Sequence, residues 1–193
     1  MSEWPVDLRG VTETVVATLG PNDRWNQAAL GVRAPESAGA PASARTYGNT
    51  RTRRNFHRQD GGYVQFVDDP VAFANAALSV AETETPLLDG ATAWARVAAE
   101  QTGSEEDADT TVEHWALSPV ESGVRREAPV AVNRGFSAVV EATVAVSRLD
   151  VDAYDTETLR ERLRYFESVV EAAGGDRERD AMERVREHAD ADW

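Results

Sequence analysis

The stretch Thr12–Arg33, TETVVATLGPNDRWNQAALGVR, decides how the fold is read. Thr12–Thr18 is rich in β-branched side chains, which sit well on a pleated surface and poorly in a helix. Gly20-Pro21-Asn22-Asp23 follows as a dense turn signal, because proline presets its own φ and glycine, asparagine and aspartate tolerate conformations that other residues avoid. Trp25–Arg33 is a second extended segment, so the two runs are expected to pair as an antiparallel hairpin.

Working outward, Ala34–Ala44 is a loop of small residues, Ser43–Tyr47 a short third strand and Gly48-Asn49 a turn. Thr52 reads as the N-cap of a turn or two of helix over Arg53–Arg58. Tyr63–Val67 alternates, with Val64 and Phe66 on one face and Tyr63 and Gln65 on the other. Asp69-Pro70 pairs a cap with proline at the first helical position and opens a helix to about Val80 that buries Val71, Ala74 and Leu78. Ala91–Glu100 and Thr111–Leu117 are expected strands, joined by the acidic loop Ser104–Asp109, which lacks the glycine and spacing of a calcium loop. Asn133–Leu149 is rich in Val and Thr, yet Phe136, Val139, Val140 and Val144 recur at helical spacing and predict a helix. After a cap at Asp155, Leu159, Leu163, Phe166 and Val170 form a second helical stripe. Gly174-Gly175 ends it, and Asp176 is expected to cap a last helix carrying Met182, Val185 and Ala189. A strand-rich N-terminal two thirds followed by helices predicts an α+β fold: a barrel with a C-terminal helical layer.

Composition narrows the chemistry. The chain has 193 residues, a net charge of -14 and no lysine, so all 20 cationic side chains are arginine. An acidic, lysine-free surface suits a halophilic protein kept hydrated in concentrated salt. Residues 1–100 hold 12 acids against 9 arginines, a net of -3, and residues 101–193 hold 22 against 11, a net of -11, which places the chemistry in the first half. Cysteine is absent, which excludes disulfides, thiolate nucleophiles and Cys-ligated metals. His57, His114 and His188 form no HExxH pair, and no metal site is expected. Met1–Gly10 has no apolar core of a secretory signal and no run approaches the ~20 apolar residues of a membrane helix. A cytoplasmic location is expected, without nucleic-acid or membrane partners.

Against this acidity, Glu36 to Asp60 encloses no carboxylate but holds Arg45, Arg51, Arg53, Arg54 and Arg58, interleaved with Thr46, Gly48, Asn49, Thr50, Thr52 and Asn55. Arginine forks, hydroxyls and the N–H groups of a helix start are what a phosphate oxyanion needs. At about 1 M salt the Debye length falls to roughly 3 Å, so an anion must be held by direct contact. The bland alternative is that each arginine pairs with an acid elsewhere, an exposed pair being worth about 0–1 kcal/mol. A nucleic-acid module is a further alternative, disfavoured because the remaining surface repels a polyanion.

The ordered segments TETVVATLGPN, WNQAALGV, YGNTRTRRNF, VQFVDDPVAFANAAL and VNRGFSAVVEATVAVSRL, with the Gly-Gly break in the helical tail, resemble the archaeal DUF447 family. That family is similar in turn to FMN-binding split-barrel proteins, which include flavin reductases. The resemblance implies a split β-barrel of about six strands, with an FMN-binding domain over residues 1–130 and a helical extension packed on it over 131–193. It implies a homodimer with FMN at the interface, and phosphate contacts at Thr50, Thr52, Arg53 and Asn55. The flavin ring would lie along Asn26–Gly31, where Ala28 and Ala29 leave room. Arg45, Tyr47, Asn49 and Arg134 complete the expected cofactor contacts, Arg134 having the alternative of a surface arginine behind an Asn133 cap. Two departures stand out: Thr50-Arg51-Thr52 replaces a Lys-Asp-Thr pattern, and Asn26-Gln27-Ala28-Ala29 replaces an Ala-Pro pattern. Glu141 is expected to pair with Arg134 or Arg148, and Trp94 and Trp115 to lie in the core. Trp4, Trp25 and Trp193 sit near loops or ends, where any of them could cover a flavin or close a dimer seam. No residue identifies itself as a catalytic acid, base or nucleophile, so a flavin-dependent oxidoreductase and a non-catalytic binder of another phosphorylated ligand both stay open. Alanine at Thr52 and Arg53 is expected to weaken FMN binding without harming the fold.

Overall fold

Two antiparallel strands, β1 (Val11–Leu19) and β2 (Trp25–Arg33), form the expected hairpin in unbroken register from Val11↔Arg33 to Leu19↔Trp25. The turn is closed by the Gly20 N–H donating to the Arg24 carbonyl at 2.7 Å, with Asp23 at a φ of 56°. The structure, a computed structural model, describes residues 3–37, 39–107, 110–127, 131–189 and 193. They form two compact units: Met1–Asp68 with Ala81–Glu127, and Asp69–Val80 with Ala128–Trp193. The expected boundary near residue 130 falls at residues 128–130, outside the described residues.

The first unit continues with β3 (Ala42–Tyr47), α1 (Arg51–Gln59), β4 (Gly61–Val67), β5 (Ala81–Thr83), β6 (Ala91–Asp107) and β7 (Thr110–Val124). Hydrogen-bonded neighbours run β1-β4-β6-β7-β3-β2-β5, and the β1–β2 pairing closes six of these strands into an antiparallel barrel with β5 outside it on β2. The closure is uneven. β2 and β3 share only the pairs Val32↔Ala44 and Arg33↔Ser43, while Trp25–Gln27 pairs with β5 instead. The seam between Ala28–Gly31 and Arg45–Tyr47 is therefore open, which makes this a split barrel.

The barrel core takes Val16 from β1 and alternate residues of the next strands, Leu30 and Val32 on β2, Ala42 and Ala44 on β3, Val64 and Phe66 on β4. β6 turns Ala93, Ala95, Val97 and Ala99 inward, and these small side chains leave room for Trp115 of β7 and Phe56 of α1, whose rings lie 5.0 Å apart. The buried Trp115 Nε1–H donates to Thr46 Oγ1 at 3.0 Å, so the indole is both packed and satisfied. Trp94 does not share that core. It is half-buried on the opposite face of β6, 5.8 Å from Tyr63, because strand alternation sends it outward between Ala93 and Ala95. β6 and β7 also run past the expected ends at Glu100 and Leu117, with bulges at Arg96/Val97 and Gln101/Gly103. Ser104–Asp107 is thus strand rather than loop, and the tip at 108–109 lies outside the described residues. A ribbon solvated on both faces needs no apolar alternation, so its sequence does not announce it.

The second unit comprises α2 (Pro70–Leu78), α3 (Arg134–Val146), α4 (Thr156–Ala173) and α5 (Asp176–Ala189). Asp69, Asn133 and Asp155 cap the first three, each accepting a backbone N–H at 2.7–3.0 Å. Asp176 is the first helical residue of α5 rather than its cap. The Gly175 N–H instead donates to Glu178 Oε2 at 2.8 Å, the reciprocal half of a capping box. The inward face of α3 is Ala138, Val139, Ala142 and Ala145, small enough for Leu159, Leu163, Val170, Met182 and Val185 to pack close. Gly135 and Gly174 meet at the tightest point, where a Cβ on Gly135 would lie 2.7 Å from the Gly174 Cα. Glu141 pairs with Arg162 at 3.4 Å, not with Arg134 or Arg148, because one helix face looks across to α4.

Phe66 is nearly fully buried and takes the Trp4 ring edge-on at 6.5 Å. Phe66→Ala is expected to lower the stability of the barrel by about 3–5 kcal/mol in denaturant titration. Gly135→Ala is expected to cost about 1–3 kcal/mol by forcing α3 and α4 apart, read from helical circular dichroism against denaturant.

Candidate functional site

Helix α1 sets the site. Its N-cap is Thr50, in extended conformation, with Oγ1 accepting the Arg53 N–H at 3.2 Å. The helix thus starts two residues before the expected position, and Thr52 is not the cap. The deciding signal is the spacing of Thr52, Asn55 and Phe56, which a start at Arg51 places on one inward face. The helix closes at Asp60, whose N–H bonds the Phe56 carbonyl at 2.9 Å in left-handed geometry.

The arginines of the cationic stretch divide into two kinds. Arg51 pairs with Glu82 at 2.6 Å and Arg53 with the buried Glu113 at 2.6 Å. Arg54 donates to the Asn49 carbonyl at 2.7 Å and to Asn49 Oδ1 at 3.0 Å; Arg58 donates to Asn55 Oδ1 at 2.6 Å and the Leu19 carbonyl at 2.8 Å. Among the described residues, neither Arg54 nor Arg58 has a carboxylate partner. The two lie one helical turn apart.

Both line a cleft of 330 Å³. One wall is the α1 stripe Arg51, Arg54, Asn55 and Arg58; the other is the hairpin turn Gly20-Pro21-Asn22 with Asn26 of β2 and Glu82 of β5. Among the described residues three arginines face one carboxylate, a formal excess of two positive charges. Asn55 is locked by donating to Thr18 Oγ1 at 2.9 Å, and in turn fixes the Arg58 guanidinium. A concave site with convergent, pre-oriented N–H donors and excess positive charge is suited to a multivalent oxyanion.

Of the residues expected from sequence, Asn26 and Asn55 line this cleft. Thr50 and Asn49 are exposed beside it, the first as cap and the second holding Arg54. Thr52 is buried, and Arg53 turns away to Glu113, so alanine at these two positions would disturb packing and a buried ion pair as well as any ligand contact. Arg45 and Tyr47 are exposed on β3 at one lip of the open seam. Ala28 is on the other lip and packs against the barrel core. Arg134 is exposed at the first position of α3 in the second unit. Arg51, Arg54 and Arg58 were not among the expected contacts; their spacing at i, i+3 and i+7 marks one helix face only once the helix is started at Arg51. Asn22 and Glu82 gave no sequence signal, since only the β5–β2 pairing brings Glu82 opposite Asn26. Trp25 packs edge-on against Tyr63 at 5.4 Å, and Trp193 donates to Glu167, so both have structural partners. Among the described residues no cluster of three or more ligating side chains could hold a metal ion, and no helix is long and apolar enough to cross a membrane.

Glu113 anchors α1 to β7. Burial pushes its carboxyl up, but hydrogen bonds and charge from Arg53 at 2.6 Å and His57 at 2.8 Å outweigh that and hold it below its usual value. A carboxylate with a lowered folded-state pKa contributes stability above its unfolded value of about 4.3, and that contribution is lost as pH falls through the folded value. Glu113→Gln is therefore expected to flatten the acid side of a stability–pH profile, with wild type losing more stability than the variant below about pH 4.3.

Comparisons with known proteins agree with this architecture. The profile described as the N-terminal domain of a protein of unknown function (DUF447) matches residues 12–126, and its C-terminal counterpart matches residues 133–187. The chain is similar to an FMN-bound protein of DUF447 type from Methanosarcina mazei, at 27% identity over 93% of this chain and 95% of that one, with a TM-score of 0.75. The styrene monooxygenase flavin reductase of Pseudomonas putida S12 (13% identity, 65% and 95% covered, TM-score 0.43) is more distant. So is a flavoredoxin from Methanosarcina acetivorans (9% identity, 67% and 79% covered, TM-score 0.43), and at such scores neither likeness carries an argument. No curated protein matches the chain. Matched across both of its parts, the chain belongs to the DUF447 family.

Proposed function

We propose that the chain is an FMN-binding flavoprotein that seats the flavin phosphate in the α1 cleft. The observation that carries this reading is the pair Arg54 and Arg58, which project into the cleft without a carboxylate partner among the described residues. The FMN-bound relative from Methanosarcina mazei supports the choice of ligand.

The residues present fit such a group. A cleft of 330 Å³ lies within the range of about 300–1,000 Å³ usual for small-molecule sites. Its formal excess of two positive charges matches a phosphate monoester, which carries about -1.5 to -2 at pH 7. Arg54 and Arg58 bind the phosphate, Asn55 keeps Arg58 oriented, and Thr50 and Asn49 hold the start of α1 in place beside it. The open seam, with Ala28 on one lip and Arg45 and Tyr47 on the other, is the proposed path of the ring. FMN, when bound, supplies the hydride and electron chemistry, and the chain supplies binding, orientation and electrostatics. In this reading the protein works as a cytoplasmic homodimer with FMN at the interface, and a flavin-dependent oxidoreduction is the reaction class. Direct arginine contacts also suit the concentrated salt that the acidic, lysine-free composition points to, since they do not rely on long-range steering.

The test is a visible absorption spectrum after FMN is added and the excess removed. About one flavin retained per chain is expected, and a colourless protein that retains none would discard the flavin in favour of another phosphorylated ligand. Arg54→Gln is expected to weaken FMN binding about ten- to a hundredfold, the equivalent of one charge-assisted hydrogen bond. Riboflavin, which lacks the phosphate, should bind the variant and the wild type alike; equal losses for both would place the phosphate elsewhere.

A further inference from the structure

Arg54 and Arg58 are held from different sides of the barrel. Arg58 is fixed from β1: it donates to the Leu19 carbonyl and to Asn55 Oδ1, and Asn55 is itself tied to Thr18 Oγ1. Arg54 depends on the turn before the helix. Through Nη1 it donates to the carbonyl of Asn49 at 2.7 Å and to Asn49 Oδ1 at 3.0 Å. That turn is in turn pinned to β7. The Gly48 N–H donates to the Thr111 carbonyl at 2.8 Å, with Gly48 at a φ of 65° that favours glycine. The Gly48 carbonyl accepts from Arg53 Nη1 at 3.4 Å, and Arg53 Nη2 lies 2.6 Å from Glu113 Oε1.

Glu113 heads this chain of contacts without lining the cleft. Its side chain is only 4% exposed, and a pair so withdrawn from solvent is screened by salt much less than an exposed one. Without the carboxylate, Arg53 has no fixed partner on β7 and releases the Gly48 carbonyl. Asn49 then no longer sets the direction of the Arg54 fork, whereas Arg58 keeps its anchors on β1 and α1. Given that the cleft holds a phosphate ligand, as proposed above, we infer that Glu113 is a positioning residue for that phosphate, acting through Arg53 and the Gly48–Asn49 turn on Arg54 and not on Arg58.

The experiment is a pair of double-mutant cycles. FMN and riboflavin are titrated into wild type, Glu113→Gln, Arg54→Gln, Arg58→Gln and Glu113→Gln combined with each arginine variant, following flavin fluorescence at neutral pH. Glu113→Gln keeps the shape and removes the charge. It is expected to weaken FMN about tenfold and to leave riboflavin, which has no phosphate, within about twofold. On the Arg54→Gln background the same substitution is expected to change FMN affinity by less than about twofold, and on the Arg58→Gln background to keep its full effect. A purely structural role weakens both flavins or acts equally on both backgrounds. Either result overturns the inference, as does unchanged FMN affinity in Glu113→Gln. If Glu113→Gln does not fold, Arg53→Gln breaks the same link from its other end and is read in the same cycles. If wild type takes up no flavin but binds inorganic phosphate, the flavin reading fails alone, and the cycles are read calorimetrically with phosphate on the same criteria. A wild type that binds neither overturns both readings.

Discussion

Closure of the sheet through the β1–β2 pairing is the constraint on which the rest of the first unit depends. A six-stranded barrel has a narrow interior, and its inward positions must be filled without voids. Here the alanines of β6 make space, and Trp115 with Phe56 fills it. Phe56 belongs to α1, so the helix is drawn against the barrel by the same packing that completes the core. Once Phe56, Asn55 and Thr52 face inward, the 3.6-residue period leaves Arg51, Arg54 and Arg58 on the flank beside the β1–β2 turn. The site is a by-product of how the barrel is filled.

Electrostatics refine that placement. In a chain of net charge -14, carboxylates are available to neutralise almost any arginine, and most exposed pairs of this kind contribute little. What matters is where acids are kept away. Glu113 takes Arg53 and His57 to the barrel side, fixing the rotation of α1, and Glu82 takes Arg51. Arg54 and Arg58 are left to amide and carbonyl oxygens, which orient a guanidinium without cancelling its charge. The uncompensated positive charge of the cleft in this acidic protein thus comes from withholding counter-charges at one helix flank, rather than from a surplus of cations.

The second unit obeys a simpler rule. Its helices meet through small residues, Ala138, Ala142 and Ala145 on α3 and the Gly135–Gly174 contact, while the larger Leu159, Leu163 and Met182 fill the space between. Capping by Asp69, Asn133 and Asp155 follows directly from residue type at the head of each apolar stripe. These ends were legible because a cap and its first turn span only a few residues. The α5 start was misread by one residue, since Asp176 is as good a cap by type as Gly175, and the Glu178 contact that decides between them is a matter of geometry.

By itself the sequence determined the hairpin over Val11–Arg33, the alternation of Val64 and Phe66, the helical C-terminus and the existence of an arginine-rich, acid-free stretch. Each of these rests on period, turn chemistry or composition, which act over neighbouring residues. Only the tertiary structure decided which arginines have no carboxylate partner among the described residues, that Thr50 and not Thr52 caps α1, that Trp94 faces outward, and that Asn22 and Glu82 belong to the cleft. The physical reason is separation along the chain. Glu82 reaches Arg51 across 31 residues, and the Glu113 that claims Arg53 lies on β7; strand pairing and barrel closure bring them together, and no local pattern records it.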